Sequence, residues 1–314
     1  MRNNYKLIAL VLFVLPFASC SKKMDLQPWS FDVAADSSAY NLGSATTFKF
    51  NGNPDNITFY SGEVGKRYDF KDRVQAAGIP QLKFTTALNA GLQTNSLSLL
   101  VSVNFPGAVN SLSDPSAITA ATWTDITSRA SWATTSTAVP SGTIDLSDFI
   151  TAGKPVYIAF RYSAVAGSVQ NKWTITNLSL RNVLSDGSSY VIDTLPTLTT
   201  VTNYGNISTL PGWSSKTISN SYNWALSATS MVITGASTVA AATSPAEAWT
   251  ITGPIDLKRV TPDAGVAVKT MADLKLSTLY TYATRGTFDA VFVAKQVNRD
   301  NFAEATKKLS VTIK

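Results

Sequence analysis

The chain has 314 residues, of which only 15% are charged, with no histidine, one cysteine and a formal net charge of +6. Without an imidazole, Ser-His-Asp and Cys-His catalysis and the usual His-ligated zinc centres are excluded, leaving a carboxylate pair, a lysine or an oxygen-ligated metal for any chemistry. The basic residues are scattered rather than clustered, which argues against a nucleic-acid partner.

Arg2 and Lys6 precede an uninterrupted apolar run from Leu7 to Leu15, and small residues follow at Ala18 and Ser19. A positive start, a short apolar core and small residues before a cut site predict a secretory signal over residues 1–19. The run is about half of what a bilayer-spanning helix needs. The stretch Phe17-Ala18-Ser19-Cys20 resembles the bacterial lipoprotein box, with departures at Phe17 and Ser19. That resemblance implies cleavage before Cys20 and lipid on its sulfur, so that the protein is anchored to a membrane rather than spanning it. The alternative is an ordinary signal peptide with an incidental cysteine. As the sole cysteine, Cys20 has no partner for an internal disulfide. Cleavage would lower the charge from +6 to +4 by removing Arg2 and Lys6. It would also leave Lys22 and Lys23 beside the lipid head groups, at the start of a tether over residues 20–29.

Beyond the tether the sequence reads as all-β. Glutamate occurs only at Glu63, Glu247 and Glu304, and apolar residues alternate or form short runs bounded by Gly, Pro, Asn and Ser. Phe31-Asp32-Val33, Thr46–Phe50 and Ile57–Tyr60 read as strands, with turn chemistry at Asn51-Gly52-Asn53-Pro54-Asp55. Leu97–Val103, Val156–Tyr162, Trp173–Leu180 and Trp249–Leu257 follow, the third alternating from Trp173 onward. Leu279–Tyr282, Thr287–Ala294 and Leu309–Lys314 close the chain, the last alternating as a half-buried strand should.

The stretch Gly52-Asn53-Pro54-Asp55-Asn56-Ile57-Thr58-Phe59-Tyr60-Ser61-Gly62-Glu63 resembles the opening of a Bacteroidetes lipoprotein family of uncharacterised function, often found with polysaccharide-uptake systems. Tyr280-Thr281-Tyr282, Gly286-Thr287-Phe288 and Val291–Ala294 resemble the closing strands of a PKD or immunoglobulin-like domain. The order Tyr157-Ile158-Ala159-Phe160-Arg161-Tyr162, then Trp173–Leu178, resembles adhesin-type jelly rolls of the galactose-binding kind. Together these imply an Ig/PKD-like sandwich, residues 30–73 plus 261–314, interrupted by an inserted jelly-roll β-sandwich over residues 74–260. Insertion is tolerated where the two ends of a loop lie close together.

Five groups of residues are candidates for ligand binding or chemistry, and a sixth for modification. Tyr204, Trp213, Tyr222 and Trp224 lie in a Ser/Asn/Gly-rich stretch, where flat rings can stack on the C–H faces of sugars; the competing reading is that they fill the core. The same two readings apply to Trp123 and Trp132, with Asp125 and Arg129 between them. Asp145, Asp148 and Asp186 are calcium candidates, since jelly rolls of this kind often hold a structural calcium; otherwise they are turn aspartates. Glu63 and Glu247 are the candidate pair for a carboxylate-only glycoside hydrolase, and Glu63 has an alternative as an acceptor for turn amides. Arg161 is either a carboxylate-binding fork or half of an internal ion pair. Asp193-Thr194-Leu195 resembles a short O-glycosylation site.

The expectation is a non-catalytic, outer-membrane lipoprotein with no cofactor beyond a structural calcium. It would bind polysaccharide or oligosaccharide at the cell surface, beside an outer-membrane transporter. The alternatives are a structural or adhesive lipoprotein with a protein partner, and the carboxylate-only hydrolase. Replacing Cys20 with Ser is expected to abolish metabolic incorporation of radiolabelled palmitate and to release the protein from the membrane pellet.

Overall fold

A computed structural model describes residues 25–26, 28–107, 115–195, 201–202, 208–209 and 212–314. The chain is nearly all β, with several antiparallel sheets stacked as sandwiches. It divides into two units, one running to Tyr68 and resuming at Ala264–Lys314, the other Asp69–Asp263.

The first unit opens with β1 (Phe31–Ala35), β2 (Ala39–Tyr40), β3 (Ala45–Gly52) and β4 (Asn56–Tyr60). The second unit then contributes β5 (Ile79–Ala90), β6 (Leu97–Ser102), a short helix α1 (Ser116–Ala120), β7 (Thr124–Asp125), β8 (Val139–Pro140) and β9 (Ile144–Asp145). Next come β10 (Tyr157–Ala164), β11 (Lys172–Val183), β12 (Ser189–Thr194), β13 (Val201–Thr202) and β14 (Ser208–Thr209). β15 (Trp213–Ser219), β16 (Ala225–Leu226), β17 (Ser230–Thr234) and β18 (Ala246–Thr252) end the second unit. β19 (Val266–Lys269), β20 (Ser277–Thr281), β21 (Gly286–Val297) and β22 (Phe302–Ile313) complete the first.

In the first unit, the sheet β1-β3-β20 packs on the sheet β19-β4-β21-β22-β2. Alternation drives this: Phe48 and Phe50 of β3 and Phe292 of β21 all turn inward, as do Val311 and Ile313 of β22. Phe292 stacks on Phe59 at 4.6 Å and meets Phe48 edge-on at 4.9 Å. Such geometries add to the burial of the rings themselves. β21 and β22 form a hairpin in unbroken register from Gly286↔Ile313 to Val297↔Phe302. The Asn298 side chain closes its turn by accepting from the amides of Asp300 (3.0 Å) and Asn301 (2.7 Å).

In the second unit, the sheet β15-β18-β10-β6-β7 faces the sheet β16-β17-β11-β5-β8. Their shared core takes Leu97, Leu99 and Val101 of β6, Ile158, Phe160 and Tyr162 of β10, and Leu82 and Phe84 of β5. The outer face of the β10 sheet is also covered, because Tyr157, Ala159, Trp249 and Ile251 pack under Phe105, Trp123 and Ile118 of α1. Burial on both faces explains the unbroken apolar runs Leu99–Val101 of β6 and Tyr157–Phe160 of β10.

β11 departs from the simple alternation expected of it. Trp173 and Ile175 face the core, but so do Leu178 and Leu180, two residues of the opposite phase. The register against β5 shifts between Thr176 and Ser179, and Asn177 adopts φ 51°. A bulge with one left-handed residue resets the phase, and asparagine tolerates that conformation better than most residues. Without the bulge the two leucines would point to solvent.

The segments entering and leaving the second unit run side by side. The amide of Ala76 donates to the Lys258 carbonyl (2.9 Å), that of Val260 to Val74 (2.9 Å) and that of Asp263 to Phe70 (3.1 Å). Arg73 lies over the Phe70 ring (4.0 Å), donates to the Tyr190 hydroxyl (2.9 Å) and sits 3.7 Å from the buried Asp263 carboxylate. In the first unit, the Ala264 amide donates to the Gly65 carbonyl (3.0 Å).

Replacing Phe292 with Ala removes the ring on which Phe48, Phe50 and Phe59 converge. Chemical denaturation followed by fluorescence is expected to show a loss of about 3–5 kcal/mol from the transition of the first unit.

Candidate functional site

A pocket of about 370 Å³ opens in the second unit beside the loop that joins β5 to β6. Leu88, Leu97, Ala133, Trp132 and Trp173 supply apolar wall and floor, and Thr94, Asn95, Thr127 and Thr134 supply neutral polar groups. No charged side chain lines it. Leu92 stands at its edge, 94% exposed.

The two indoles are held by their polar edges. The Trp173 Nε1 donates to Ser96 Oγ (2.9 Å) and the Trp132 Nε1 to the Thr127 carbonyl (2.8 Å). Their rings meet almost perpendicularly, with centroids 6.5 Å apart, and Trp132 also packs on Phe84 at 5.4 Å. With the N–H groups satisfied, what faces the pocket is ring surface, chiefly that of the half-buried Trp132 because Trp173 is 6% exposed and forms the floor, and burying that surface against an apolar face of a ligand is favourable.

The loop is fastened from beneath by Asn171, whose side chain is fully buried. Its Nδ2 donates to the Gln93 carbonyl (2.6 Å) and to Ser96 Oγ (2.6 Å), and its Oδ1 accepts from the Gln93 amide (3.0 Å). Gln93 in turn bridges to the Val165 carbonyl (2.9 Å), the Val165 amide (2.9 Å) and Ser168 Oγ (2.8 Å). The loop backbone takes left-handed conformations at Gly91 (φ 85°) and Asn95 (φ 54°). At Gly91 a Cβ would lie 2.2 Å from Asn171 Oδ1, so only glycine fits. These bonds consume the polar groups of Gln93, so it positions the loop, while Thr94, Asn95 and Thr134 remain on the pocket side. The arrangement suits rigid, neutral binding: dispersion surface with a few hydrogen-bonding groups.

Of the described residues expected to form a stacking surface, only Trp132 lines this pocket. Trp213 is 1% exposed and stacks on Phe160 at 5.8 Å, while Trp224 is 3% exposed and donates to the Ala248 carbonyl (3.2 Å). Both fill the core between the sheets, so neither ring can meet a sugar, and the core reading replaces the ligand-binding one. Tyr222 packs half-buried against the same core. Tyr204 and Cys20 lie outside the described residues. Trp123 belongs elsewhere than Trp132: it covers the outer face of the β10 sheet against Trp249 (5.1 Å) and Phe105 (5.4 Å). The two do not form one site.

The carboxylates are committed locally. Asp148 takes both arms of Arg129 (2.6 and 2.9 Å), which holds its carboxyl below the usual range. Asp145 Oδ1 caps the Ser147 amide (2.8 Å) and Asp186 Oδ1 the Ser188 amide (2.9 Å). Among the described residues no three acidic or sulfur ligands converge to hold a metal ion. Arg161 grips Glu247 through two bonds (3.1 and 3.2 Å), and Trp249 Nε1 donates to the same carboxylate (2.7 Å). Arg161 is therefore half of an internal pair. Glu63 lies in the other unit and accepts from the Ala283 amide (2.9 Å) and the Tyr280 hydroxyl.

Asp193 is the exception in this inventory. It is 6% exposed, its Oδ1 accepts from the Thr194 amide (2.9 Å), and it lies near the Trp213 indole and Arg259. Burial pushes its carboxyl up to about 7 despite those favourable neighbours. Asp193 and Leu195 are both buried, while Thr194, whose hydroxyl a glycan would need, is half-buried.

Sequence reasoning missed Trp173 as a pocket residue, together with the Gly91–Ser96 loop and Asn171. The signal available was the polar, Gly-containing run Asn89–Asn95 between two strong strands, which marks a built loop.

Because Asp193 holds its proton in the fold up to about pH 7, while the unfolded chain releases it near pH 4, stability is expected to fall as pH rises through that window and to level off above it. Asp193→Asn should remove this slope and gain on the order of a few kcal/mol at pH 8. Urea titrations at several pH values measure both effects.

No curated protein and no solved structure matches the chain. A family model described as a domain of unknown function, DUF5017, matches residues 19–200, more than half of the sequence. The chain belongs to the DUF5017 family.

Proposed function

We propose that this protein is a membrane-anchored, non-catalytic glycan-binding lipoprotein, with the Trp132–Trp173 pocket as its binding site. The observation that carries this reading is the pocket's composition: two anchored indoles, aliphatic walls and neutral polar groups, with no ionisable side chain among its lining residues. A sugar ring has an apolar C–H face and a rim of hydroxyls. The first matches the indole and leucine surface, and the second matches Thr94, Asn95 and Thr134. The absence of a carboxylate or basic group at the pocket favours retention of a ligand over its cleavage.

In this reading, lipid on Cys20 holds the protein at the outer membrane, and the pocket captures polysaccharide or oligosaccharide for a neighbouring transporter. The resemblance of the Gly52–Glu63 stretch to lipoproteins found with polysaccharide uptake supports that placement. A second reading, a structural or adhesive lipoprotein with a protein partner, is favoured by a separate observation: Met271, Leu274, Leu276 and Leu279 are all strongly exposed within one short segment of the first unit.

A glycan-array screen of the chain from Lys22 onward tests the binding reading. Binding to one class of saccharide is expected. Trp132→Ala should weaken it by at least about tenfold, and Trp123→Ala, on the far side of the β10 sheet, should leave it unchanged. A folded Trp132→Ala variant that binds as tightly as the parent would refute the pocket as the site.

A further inference from the structure

We propose that the Trp132–Trp173 pocket recognises an acetyl group on its saccharide, an inference that rests on the saccharide reading above. The polarity of the pocket changes with depth. Thr94, Asn95 and Thr134 stand exposed at its mouth. Leu97, Ala133 and Trp173 are buried at its inner end, and the partly buried Leu88 and Trp132 form the wall between.

A bare sugar ring carries hydroxyls around its rim. Each needs an acceptor for its proton when it leaves water, and burying one without a partner is costly. The acceptors at the inner end are already in use. Ser96 Oγ accepts from Trp173 Nε1 (2.9 Å) and from Asn171 Nδ2 (2.6 Å), which takes up both lone pairs. The Thr127 carbonyl accepts from Trp132 Nε1 (2.8 Å) and from the Ala130 amide (3.3 Å). The Gln93 carbonyl accepts from Asn171 Nδ2 (2.6 Å). Thr127 Oγ1 is different: it is half-buried and accepts from the Leu99 amide (2.9 Å), which leaves its O–H as a donor to a ligand.

The inner surface therefore suits a group that is apolar at its tip and accepts without donating. An acetyl group has both properties. Its methyl would pack against Leu88, Leu97 and the Trp132 ring, and its carbonyl oxygen would accept from Thr127. The remaining sugar hydroxyls would stay at the mouth with Thr94, Asn95 and Thr134. A methyl alone, as in a deoxy sugar, would match the walls but give Thr127 nothing to bond. A carboxylate or sulfate would accept, but no cation among the lining residues would offset its desolvation. Amide-linked and ester-linked acetyl groups share this chemistry, and the test separates them.

Isothermal titration calorimetry of the chain from Lys22 to Lys314 with matched oligosaccharides tests this. One pair sets an N-acetylhexosamine oligomer against the same oligomer of the parent hexose. The other sets an O-acetylated xylo-oligosaccharide against the same sample after mild alkaline de-esterification. The acetylated member of at least one pair is expected to bind at least about tenfold tighter. Thr127→Val should remove that preference and Thr127→Ser should keep it. Thr127→Val also takes the acceptor from the Leu99 amide, so it is compared at a temperature where circular dichroism shows it folded; the matched ligands test the parent chain whether or not it folds. Trp132-dependent saccharide binding that gains nothing from acetylation would overturn the acetyl inference and leave the saccharide reading standing. So would a preference that survives in a folded Thr127→Val variant. A parent chain that binds no saccharide would overturn both.

Discussion

The first unit depends on a pairing that its own local sequence cannot supply. β4 is bonded to β19 and β21, strands that follow it only after some 195 residues of the second unit. Closing a flexible loop of that length costs entropy before any contact repays it. The cost falls when the intervening chain folds with its ends together, as the backbone bonds Ala76–Lys258, Val260–Val74 and Asp263–Phe70 hold them. Arg73, packed on Phe70 and set against the buried Asp263, stiffens the same junction. For β4 and β19 the folded insertion then acts like a short connection, and the Phe48–Phe59–Phe292 cluster can form across it.

The pocket has a similar origin in constraint. Its indoles do not converge because they are near in sequence; Trp132 and Trp173 come together because the segment after Trp132 is bonded along β5, Ala133 to Thr86 and Thr135 to Leu88, and β11 pairs with the same strand. Buried amides are costly unless fully bonded, and Asn171 meets that requirement by holding Gln93 and Ser96. The result is a loop whose shape is set by the core beneath it. Such preorganisation lowers the entropy lost when a ligand binds. Asp193 shows the opposite case, a carboxyl buried without enough partners to keep it ionised at ordinary acidity.

The aromatic residues show where reading a sequence stops. Trp213, Trp224, Trp123 and Trp132 have similar surroundings in the chain, all rich in Ser and Thr. Two are core, one roofs the outer face of a sheet, and one opens onto a pocket. Composition cannot separate these, because a ring in a polar segment is buried or exposed according to which sheet passes over it. β11 teaches the same lesson on a smaller scale. Its alternation is plain in the sequence up to Thr176, and only the bulge at Asn177 explains why Leu178 and Leu180 still face inward.

What the sequence determined by itself was whatever depends on local periodicity and composition. The period-two pattern of β3 and β22 specifies strands with one buried face, since a slip of one residue would expose Phe48, Phe50, Val311 and Ile313. The apolar runs Leu99–Val101 and Val156–Phe160 likewise specify strands, and the lack of histidine removes whole classes of catalysis. Tertiary structure alone decided which rings became core and which carboxylates found cations, as Asp148 did with Arg129 and Glu247 with Arg161. It alone decided that Trp173 and the Gly91–Ser96 loop would make a pocket. Those outcomes rest on contacts between residues far apart in the chain, whose energies depend on burial and geometry that no single segment encodes.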